Sequence, residues 1–139
     1  MHDVYENRVR FAETDAQGIV FFGNYLTYLD ETFVAYMEAI GWPYEERVGM
    51  GWEIHTVNVE LCYRDSAEMR DRLVNSIGLS RVGTSSLEFE YACRRAADDE
   101  VLVEGRLVQV GVDENGDPTP VPDEIIEAIE AFEGGLPSE

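Results

Sequence analysis

One amphipathic segment limits what this chain can fold into more than any other. Between residues 22 and 40 the apolar side chains recur at spacings of three and four, which places them on one broad helical face. They are Phe22, Tyr25, Leu26, Leu29, Phe33, Tyr36, Met37 and Ile40. Gly41 then supplies a C-terminal stop. Because so apolar a face is unfavourable in water, the sequence predicts that other elements wrap this helix.

Five strand-like segments are available to surround the helix. They are recognised by β-branched and aromatic residues in alternating patterns, and they cover residues 4–11, 53–64, 72–82, 85–95 and 100–113. Short turns join the last three segments, which predicts an antiparallel sheet with the helix lying across it. A short acidic helix, expected at 123–132 with Asp123 as its cap, follows the last strand. The predicted fold class is therefore α+β.

Alternation within residues 53–64 also predicts which side chains share a face. One face should carry Ile54, Thr56, Asn58, Glu60 and Cys62, and the other should carry His55, Val57, Val59, Leu61 and Tyr63. Cys62 and Cys93 both lie in strand-like segments without metal-ligand spacing. We therefore expect buried thiols rather than a disulfide framework or a metal site.

The length of the chain, 139 residues, is that of one ordinary domain. We expect this domain to cover residues 1–133 and the tail at 134–139 to be frayed. No stretch is apolar enough to span a membrane, and the first residues do not resemble a signal peptide. The expectation is a soluble, cytoplasmic protein with no membrane partner.

The charge balance is extreme. Twenty-nine Asp and Glu residues face ten cations, all of them arginine, for a net charge of -19. This excess argues against nucleic acid as a partner, because phosphates would be repelled. Acidic excess without lysine, on a chain of ordinary hydrophobicity, is typical of proteins adapted to a salt-rich cytoplasm. There the Debye length of about 3 Å screens the self-repulsion, so we expect a halophilic protein.

The run from Thr14 to Tyr25 holds the candidate chemistry. It places one carboxylate, that of Asp15, in a glycine-containing turn just before the long helix. The residues between that turn and the helix are apolar. A carboxylate beside the unpaired N–H groups of a helix start offers a base or nucleophile next to an oxyanion site. Acyl transfer and acyl hydrolysis both require such a pair of groups.

The same run resembles the active-site signature of the 4-hydroxybenzoyl-CoA thioesterase family of hotdog-fold proteins. That signature reads aspartate-x-x-glycine-aliphatic-aliphatic-aromatic-x-x-asparagine-tyrosine. The matching residues are Asp15, Gly18, Ile19, Val20, Phe21, Asn24 and Tyr25. The resemblance extends from about Val4 to Val112. It implies a hotdog fold, in which a five-stranded antiparallel sheet wraps one long helix, with a short C-terminal helix added here.

The resemblance also implies roles for individual residues. Asp15 would be the catalytic carboxylate, acting on the thioester carbonyl as nucleophile or on water as base. The backbone N–H of Phe22, with that of Gly23 beside it, would hold the oxyanion. The substrate-binding residues implied are Gly18, Val20, Phe21, Asn24 and Tyr25. Many family members have histidine at the position of Phe22, so only its backbone role carries over. No cofactor and no metal are implied.

A second family motif, tyrosine-x-x-proline-alanine followed by aspartate, is matched in part. Tyr63, Ala67 and Asp71 are present, but Ser66 stands where the family has proline. We expect this motif to shape the strand rather than to act on substrate.

Other interpretations of these residues stay open at this point. Asp15 is also in place for a helix cap or an Asx turn. Glu31 is a rival catalytic carboxylate, because a related hotdog lineage uses a helical glutamate, although the solvated face of the helix suits it better. His2 is terminal, and a lone His55 in a strand is more often an interior residue than a catalyst. A non-catalytic acyl-CoA-binding domain is the main alternative function, whereas a hydratase would want a histidine paired with Asp15.

The implied substrate and assembly are the last expectations. Arginines must attract the phosphates of acyl-CoA to so acidic a protein, and the candidates are Arg64, Arg70, Arg81 and Arg94, each of which also suits a surface ion pair. Acyl-pocket candidates are Phe21, Phe22, Tyr25 and Trp52, which suit the core equally. A lone five-stranded sheet leaves open edges, so we expect a homodimer, or a homotetramer formed by two dimers.

Overall fold

The computed structural model describes residues 1–137. Over this range the chain forms five β-strands, three α-helices and one short 3-10 turn. In chain order they are β1 (His2–Arg8), the 3-10 turn (Phe11–Glu13), α1 (Asn24–Ala39), α2 (Tyr44–Val48), β2 (Glu53–Tyr63), β3 (Arg72–Val82), β4 (Ser86–Arg95), β5 (Val101–Val112) and α3 (Asp123–Glu133). No helix within residues 1–137 combines the length and apolar character needed to cross a membrane.

All five strands form one antiparallel sheet in the order β1-β3-β4-β5-β2. The chain therefore leaves β1 at one edge, passes through α1 and returns as β2 at the opposite edge. β3, β4 and β5 then fill the centre as consecutive hairpin partners. α1 packs against β1 and β3. The predicted hotdog arrangement of a five-stranded antiparallel sheet and helices is confirmed, although the edge position of β2 was not predicted.

The buried face of α1 is rotated about the helix axis relative to the apolar face predicted from the sequence. Phe33 and Tyr36 lie in the core and pack edge-on against Phe89 of β4, at ring distances of 5.5 and 5.2 Å. Tyr28 and Thr32 are buried too. On the other side of the stripe, Phe22 and Leu26 are exposed. The sheet thus covers the Tyr28 side of the helix and leaves the Leu26 side open.

The predicted end of α1 is confirmed. Gly41 has φ +88°, a left-handed backbone that suits glycine, and its N–H donates to Glu38 O. The predicted cap of α3 is wrong, because Pro122 takes the N-cap position and Asp123 falls in the first helical turn. Of the tail predicted to fray, Gly134 and Gly135 both donate to Glu130 O at the end of α3, while residues 138 and 139 lie outside the described range.

The predicted faces of β2 are wrong in part, because its register with β5 shifts between Thr56 and Asn58. A bulge shifts the inward–outward alternation by one residue. The even-numbered Ile54 therefore faces the core before the bulge, and the odd-numbered Val59 and Leu61 face it after the bulge. The extra residue, Val57, is 59% exposed.

Two residues of β2 that were expected to be buried are exposed. Cys62 lies on the solvent side of this edge strand, so the prediction of a buried thiol holds for Cys93 and fails for Cys62. His55 is exposed as well, not interior. The first strand is also displaced from its prediction of 4–11: it runs over His2–Arg8, and the chain then tightens into the 3-10 turn.

Candidate active site

Asp15 sits in a closed turn between the 3-10 turn and α1. Its N–H donates to Ile19 O at 2.9 Å, and its own carbonyl accepts from Gly18 N at 3.0 Å. Gly18 has φ +80°, which this tight return requires. The carboxylate Oδ1 accepts the N–H of Gln17 at 2.8 Å, an Asx turn. This hydrogen bond orients the carboxylate, and Asp15 is half-buried, so it stays accessible.

α1 begins at Asn24, two residues later than predicted, and Phe22 and Gly23 just before it carry unused donors. Gly23 is the N-cap residue and provides no side-chain cap. Within residues 1–137, the backbone N–H groups of Phe22 and Gly23 have no hydrogen-bond acceptor. α1 is 16 residues long, so its N-terminal end favours negative charge. These two N–H groups are therefore suited to an anionic oxygen.

Glu13 ties the segment before Asp15 to the helix after it. Its carbonyl oxygen accepts both Phe21 N, at 2.9 Å, and Asn24 Nδ2, at 2.8 Å. Its carboxylate accepts the N–H and the guanidinium of Arg10, each at 2.9 Å, and the hydroxyl of Tyr28 at 2.9 Å. One residue thus connects both flanks of the Asp15 turn, and sequence reasoning did not single it out.

The pKa values of Glu13, Tyr28 and Tyr25 are shifted from their usual values. Burial alone would raise the pKa of Glu13, but hydrogen bonds from the Arg10 backbone, the Tyr28 hydroxyl and the Arg10 guanidinium hold that pKa below its usual value. Burial and the neighbouring Glu13 carboxylate raise the pKa of Tyr28 far above its usual range. Burial also raises the pKa of Tyr25 to about 12. Glu13 is therefore a carboxylate acceptor, and both phenols are donors or neutral acceptors near neutral pH.

The second motif fastens the other side of the turn. Val20 N donates to Ala67 O at 2.9 Å, and Ala67 N donates to the Tyr25 hydroxyl at 3.3 Å. Tyr63, at the end of β2, donates its hydroxyl to Phe22 O at 3.2 Å. These contacts are made although Ser66 replaces the family's proline. The motif braces the candidate site from β2 and the loop after it.

The structure divides the expected substrate-binding residues into two groups. Val20 and Tyr25 are buried, and Asn24 Nδ2 donates to Glu13 O, whereas Gly18 is exposed in the Asp15 turn. Phe21 and Phe22 are exposed, with their rings 4.7 Å apart. Of the acyl-pocket candidates, Tyr25 and Trp52 belong to the core and only the two phenylalanines face outward.

Of the rival candidates, Glu31 lines an open pocket together with Glu13 and Tyr28, and His2 lies against α3. Glu31 is exposed on α1 and makes no side-chain hydrogen bond within residues 1–137. His2 lies 3.3 Å from the Glu133 carboxylate of α3, with its ring 4.5 Å from that of Phe132. The described part of the chain contains no group of three or more His, Cys, Asp or Glu side chains arranged to hold a metal ion.

The four arginines considered for CoA phosphates fall into two groups, those with an ion pair and those without one. Arg64 pairs with Glu104 at 2.9 Å, and Arg94 pairs with Asp3 at 3.1 Å and with Asp99 at 2.9 Å. Arg70 and Arg81 form no ion pair with any residue in the 1–137 range. The surface ion pair interpretation therefore fits Arg64 and Arg94, and it leaves Arg70 and Arg81 as the free cations of the four.

A mainly apolar pocket of about 190 Å³ opens between α1 and the β2–β5 part of the sheet, next to the exposed Leu26. Its lining residues come from α1, β2 and β5, and they are Leu26, Leu29, Asp30, Phe33, Thr56, Val59, Leu107 and Gln109. Thr56 Oγ1 donates to Gln109 Oε1 at 2.7 Å, and this pair and Asp30 are the polar part of a mainly apolar lining.

Comparison with protein families identifies a family to which these features correspond. The family model of the thioesterase-like superfamily matches residues 9–129. This range includes the Asp15 turn, α1, and Tyr63 and Ala67, which contact the turn and the start of the helix.

Individual relatives agree with that match. An Aquifex aeolicus protein that carries the provisional name of an esterase is 27% identical over 126 residues, which cover 91% of this chain and 96% of that protein. A crystal structure from Aquifex aeolicus superposes with a TM-score of 0.84 at 28% identity, covering 90% of this chain and 97% of that one. A 1,4-dihydroxy-2-naphthoyl-CoA thioesterase from Synechocystis superposes with a TM-score of 0.83 over 90% of this chain and 93% of that one. At 20% identity, that likeness concerns the fold.

Proposed function

This chain belongs to the thioesterase-like superfamily, and we propose that it hydrolyses acyl-CoA thioesters with Asp15 as the catalytic carboxylate. Family membership supports thioester hydrolysis in general. The observation that carries the finer proposal is the position of the Asp15 carboxylate. A short closed turn fixes it ahead of Phe22 and Gly23, whose N–H groups just before α1 have no acceptor within residues 1–137.

The proposed reaction requires only this carboxylate, water and the substrate. In one route, an oxygen of Asp15 bonds to the thioester carbon and CoA leaves as the thiolate, so that a mixed anhydride forms. Water then cleaves the anhydride and regenerates Asp15. In the other route, Asp15 takes a proton from water as the water attacks the carbonyl carbon; the C–S bond then breaks, and the departing CoA sulfur receives the proton from Asp15. Both routes convert acyl-CoA and water into the carboxylate of the acid, CoA thiol and one proton.

Either route places negative charge on the thioester carbonyl oxygen. The N–H groups of Phe22 and Gly23 are suited to bind that oxygen, because they have no competing acceptor within residues 1–137 and sit at the positive end of α1. Preorganised donors of this kind are worth about 10²–10³ in kcat each. A backbone donor tolerates the phenylalanine found at position 22.

Substrate contacts follow from what the fold leaves accessible. We propose that the exposed rings of Phe21 and Phe22 and the apolar pocket beside α1 contact the acyl group or its thioester end. For the phosphates of CoA, Arg70 and Arg81 are the arginines of the four considered that retain an unpaired charge within the described residues. The Synechocystis enzyme of the same fold cleaves an aromatic acyl-CoA, so aromatic acyl groups belong in any test.

A second copy of the chain is the proposed partner. β2 is an edge strand of eleven residues, and next to its free side lie the exposed apolar residues Phe22, Leu26, Val57 and Tyr63. Such an edge is normally covered. Pairing β2 with its own copy around a two-fold axis would cover this surface and continue the sheet. The candidate site would then lie at the seam between two subunits.

The direct test is CoA release from a panel of benzoyl-, short-chain and long-chain acyl-CoA in buffer containing molar KCl. Turnover of at least one of them is expected. Tight binding of acyl-CoA without release of CoA would instead support the acyl-CoA-binding alternative and contradict hydrolysis.

A further inference from the structure

We propose that Tyr63 is a positioning residue for the oxyanion site: its hydroxyl fixes the peptide group between Phe22 and Gly23 and so aims the Gly23 N–H. The inference rests on the thioester hydrolysis proposed above, since it concerns the donors that this reaction would use. It adds a residue of β2, 41 positions away in sequence, to a site otherwise built from one short run.

The contacts of Tyr63 hold the start of α1 on two sides. Its hydroxyl donates to Phe22 O at 3.2 Å. Its ring lies edge-on to the ring of Phe22, at 6.3 Å, and to that of Tyr25, at 5.7 Å. Tyr25 is itself buried and accepts the Ala67 N–H. Tyr63 is therefore seated against a fixed residue of the core, and it presents its hydroxyl to the peptide group just before the helix.

The geometry of the peptide bond converts this contact into control of a donor. The Phe22 carbonyl and the Gly23 N–H belong to the same planar trans peptide, so they point in opposite directions. A donor that fixes the direction of the carbonyl also fixes the direction of the N–H. This peptide precedes the first residue of α1, so the regular i→i−4 hydrogen bonds of the helix have not yet begun there. Besides Tyr63, only Tyr25 N, at 3.3 Å, donates to Phe22 O within residues 1–137.

The same hydrogen bond strengthens the donor as well as aiming it. A hydrogen bond accepted by a carbonyl polarises its peptide group, and each such bond strengthens the next by about 10–30%. The Gly23 N–H is thus a better donor to a developing oxyanion when Tyr63 is in place. Because that charge develops only in the transition state, the loss of Tyr63 should lower kcat and leave KM little changed.

The test compares two tyrosine-to-phenylalanine variants. Tyr63→Phe keeps the ring contacts and removes only the hydroxyl, so we expect kcat for the best acyl-CoA of the panel to fall about three- to tenfold, with KM and the thermal midpoint close to wild type. Tyr36→Phe removes a buried hydroxyl that donates to Glu133 Oε2 near the other end of α1. This control should lower the thermal midpoint and leave kcat unchanged. A wild-type kcat in Tyr63→Phe would overturn the proposal.

A spectroscopic measurement separates this inference from the proposed function. In ¹⁵N-labelled protein, loss of the hydrogen bond to Phe22 O should shift the amide resonance of Gly23 in Tyr63→Phe and leave it in place in Tyr36→Phe. An unmoved Gly23 resonance would overturn the positioning role, whether or not the protein turns over acyl-CoA. Absence of turnover in wild type, with the resonance shifted as expected, would reject the hydrolase proposal and retain Tyr63 as the residue that orients this peptide.

Discussion

The hydroxyl of Tyr28 donates to the carboxylate of Glu13 across 2.9 Å, and this contact joins the two ends of the segment that contains Asp15. Tyr28 belongs to the second turn of α1, whereas Glu13 ends the 3-10 turn that precedes the site. Both side chains are largely removed from solvent. The position of Asp15 relative to the helix start therefore depends on a hydrogen bond that neither residue of the pair reveals in the sequence.

Removing this hydroxyl should loosen the site and the fold together. In Tyr28→Phe the Glu13 carboxylate keeps Arg10 as its one partner among residues 1–137, so we expect a loss of about 1–3 kcal/mol in the free energy of unfolding. Urea unfolding followed by circular dichroism at high salt measures this loss. An unfolding midpoint equal to that of wild type would show that the contact does not contribute to stability.

The depressed pKa of Glu13 predicts a specific pH dependence. Because its folded-state pKa lies below its unfolded value, the ionised Glu13 contributes stability that is fully present above the unfolded pKa, near 4.5, and is lost as pH falls through the lower folded value. Glu13→Gln removes this contribution. The difference in unfolding free energy between wild type and Glu13→Gln should therefore shrink on acidification from pH 6 to below the folded pKa. A constant difference across that range would contradict the assignment.

The contiguous parts of the site could be predicted from the sequence, because a turn and the helix after it are local structures. The position of Asp15 before α1 follows from the order of residues alone. The contacts of Glu13 with Tyr28, and of Tyr63 with Phe22, depend on how α1 and β2 pack. The partial match to the second family motif at Tyr63 was the one sequence signal for the contact of Tyr63 with Phe22. No sequence signal indicated the contact of Glu13 with Tyr28.

The fold shows the same division between local and non-local information. Strand spans follow from residue type and alternation, and the predicted span of β3 agrees with the structure. The faces of β2 could not be predicted because one extra residue, Val57, changes the parity of the strand. Which flank of α1 is buried depends on how the helix packs against β1 and β3, which residue patterns do not encode. The exposure of His55 and Cys62 follows from the bulge, because His55 alternates with Ile54 before it and Cys62 alternates with Leu61 after it.

The acidic surface predicts a steep dependence on salt. At 0.1 M KCl the Debye length is about 10 Å, so charges totalling -19 repel one another and the phosphates of CoA. Above 1 M it falls to about 3 Å. We expect the thermal midpoint and kcat/KM both to rise over this interval, as measured by scanning calorimetry and by CoA release. A flat profile would remove the case for halophilic adaptation.

The proposed dimer predicts that a charge on the β2 edge separates the subunits. Lysine on an edge strand opposes pairing with another chain, so Val57→Lys should convert an assembly into monomers of 15.7 kDa by light scattering in molar KCl. Val48→Lys places the same charge on an exposed valine of α2 and serves as the control, for which no change of mass is expected. A stable, active wild-type monomer would contradict the edge-to-edge assembly.

The role of Asp15 is tested most directly by kcat in Asp15→Asn. Asparagine keeps an oxygen that can accept the Gln17 N–H, so the turn and the circular dichroism spectrum should persist while the carboxylate chemistry is lost. We predict that kcat for acyl-CoA falls at least about a hundredfold, the scale of losing a positioned acid–base group. In Glu31→Gln, the matched change at the rival helical carboxylate, kcat should stay within about threefold of wild type, since an exposed surface charge contributes little. Retained turnover in a folded Asp15→Asn, or an equal loss in Glu31→Gln, would contradict the assignment of Asp15 as the catalytic carboxylate.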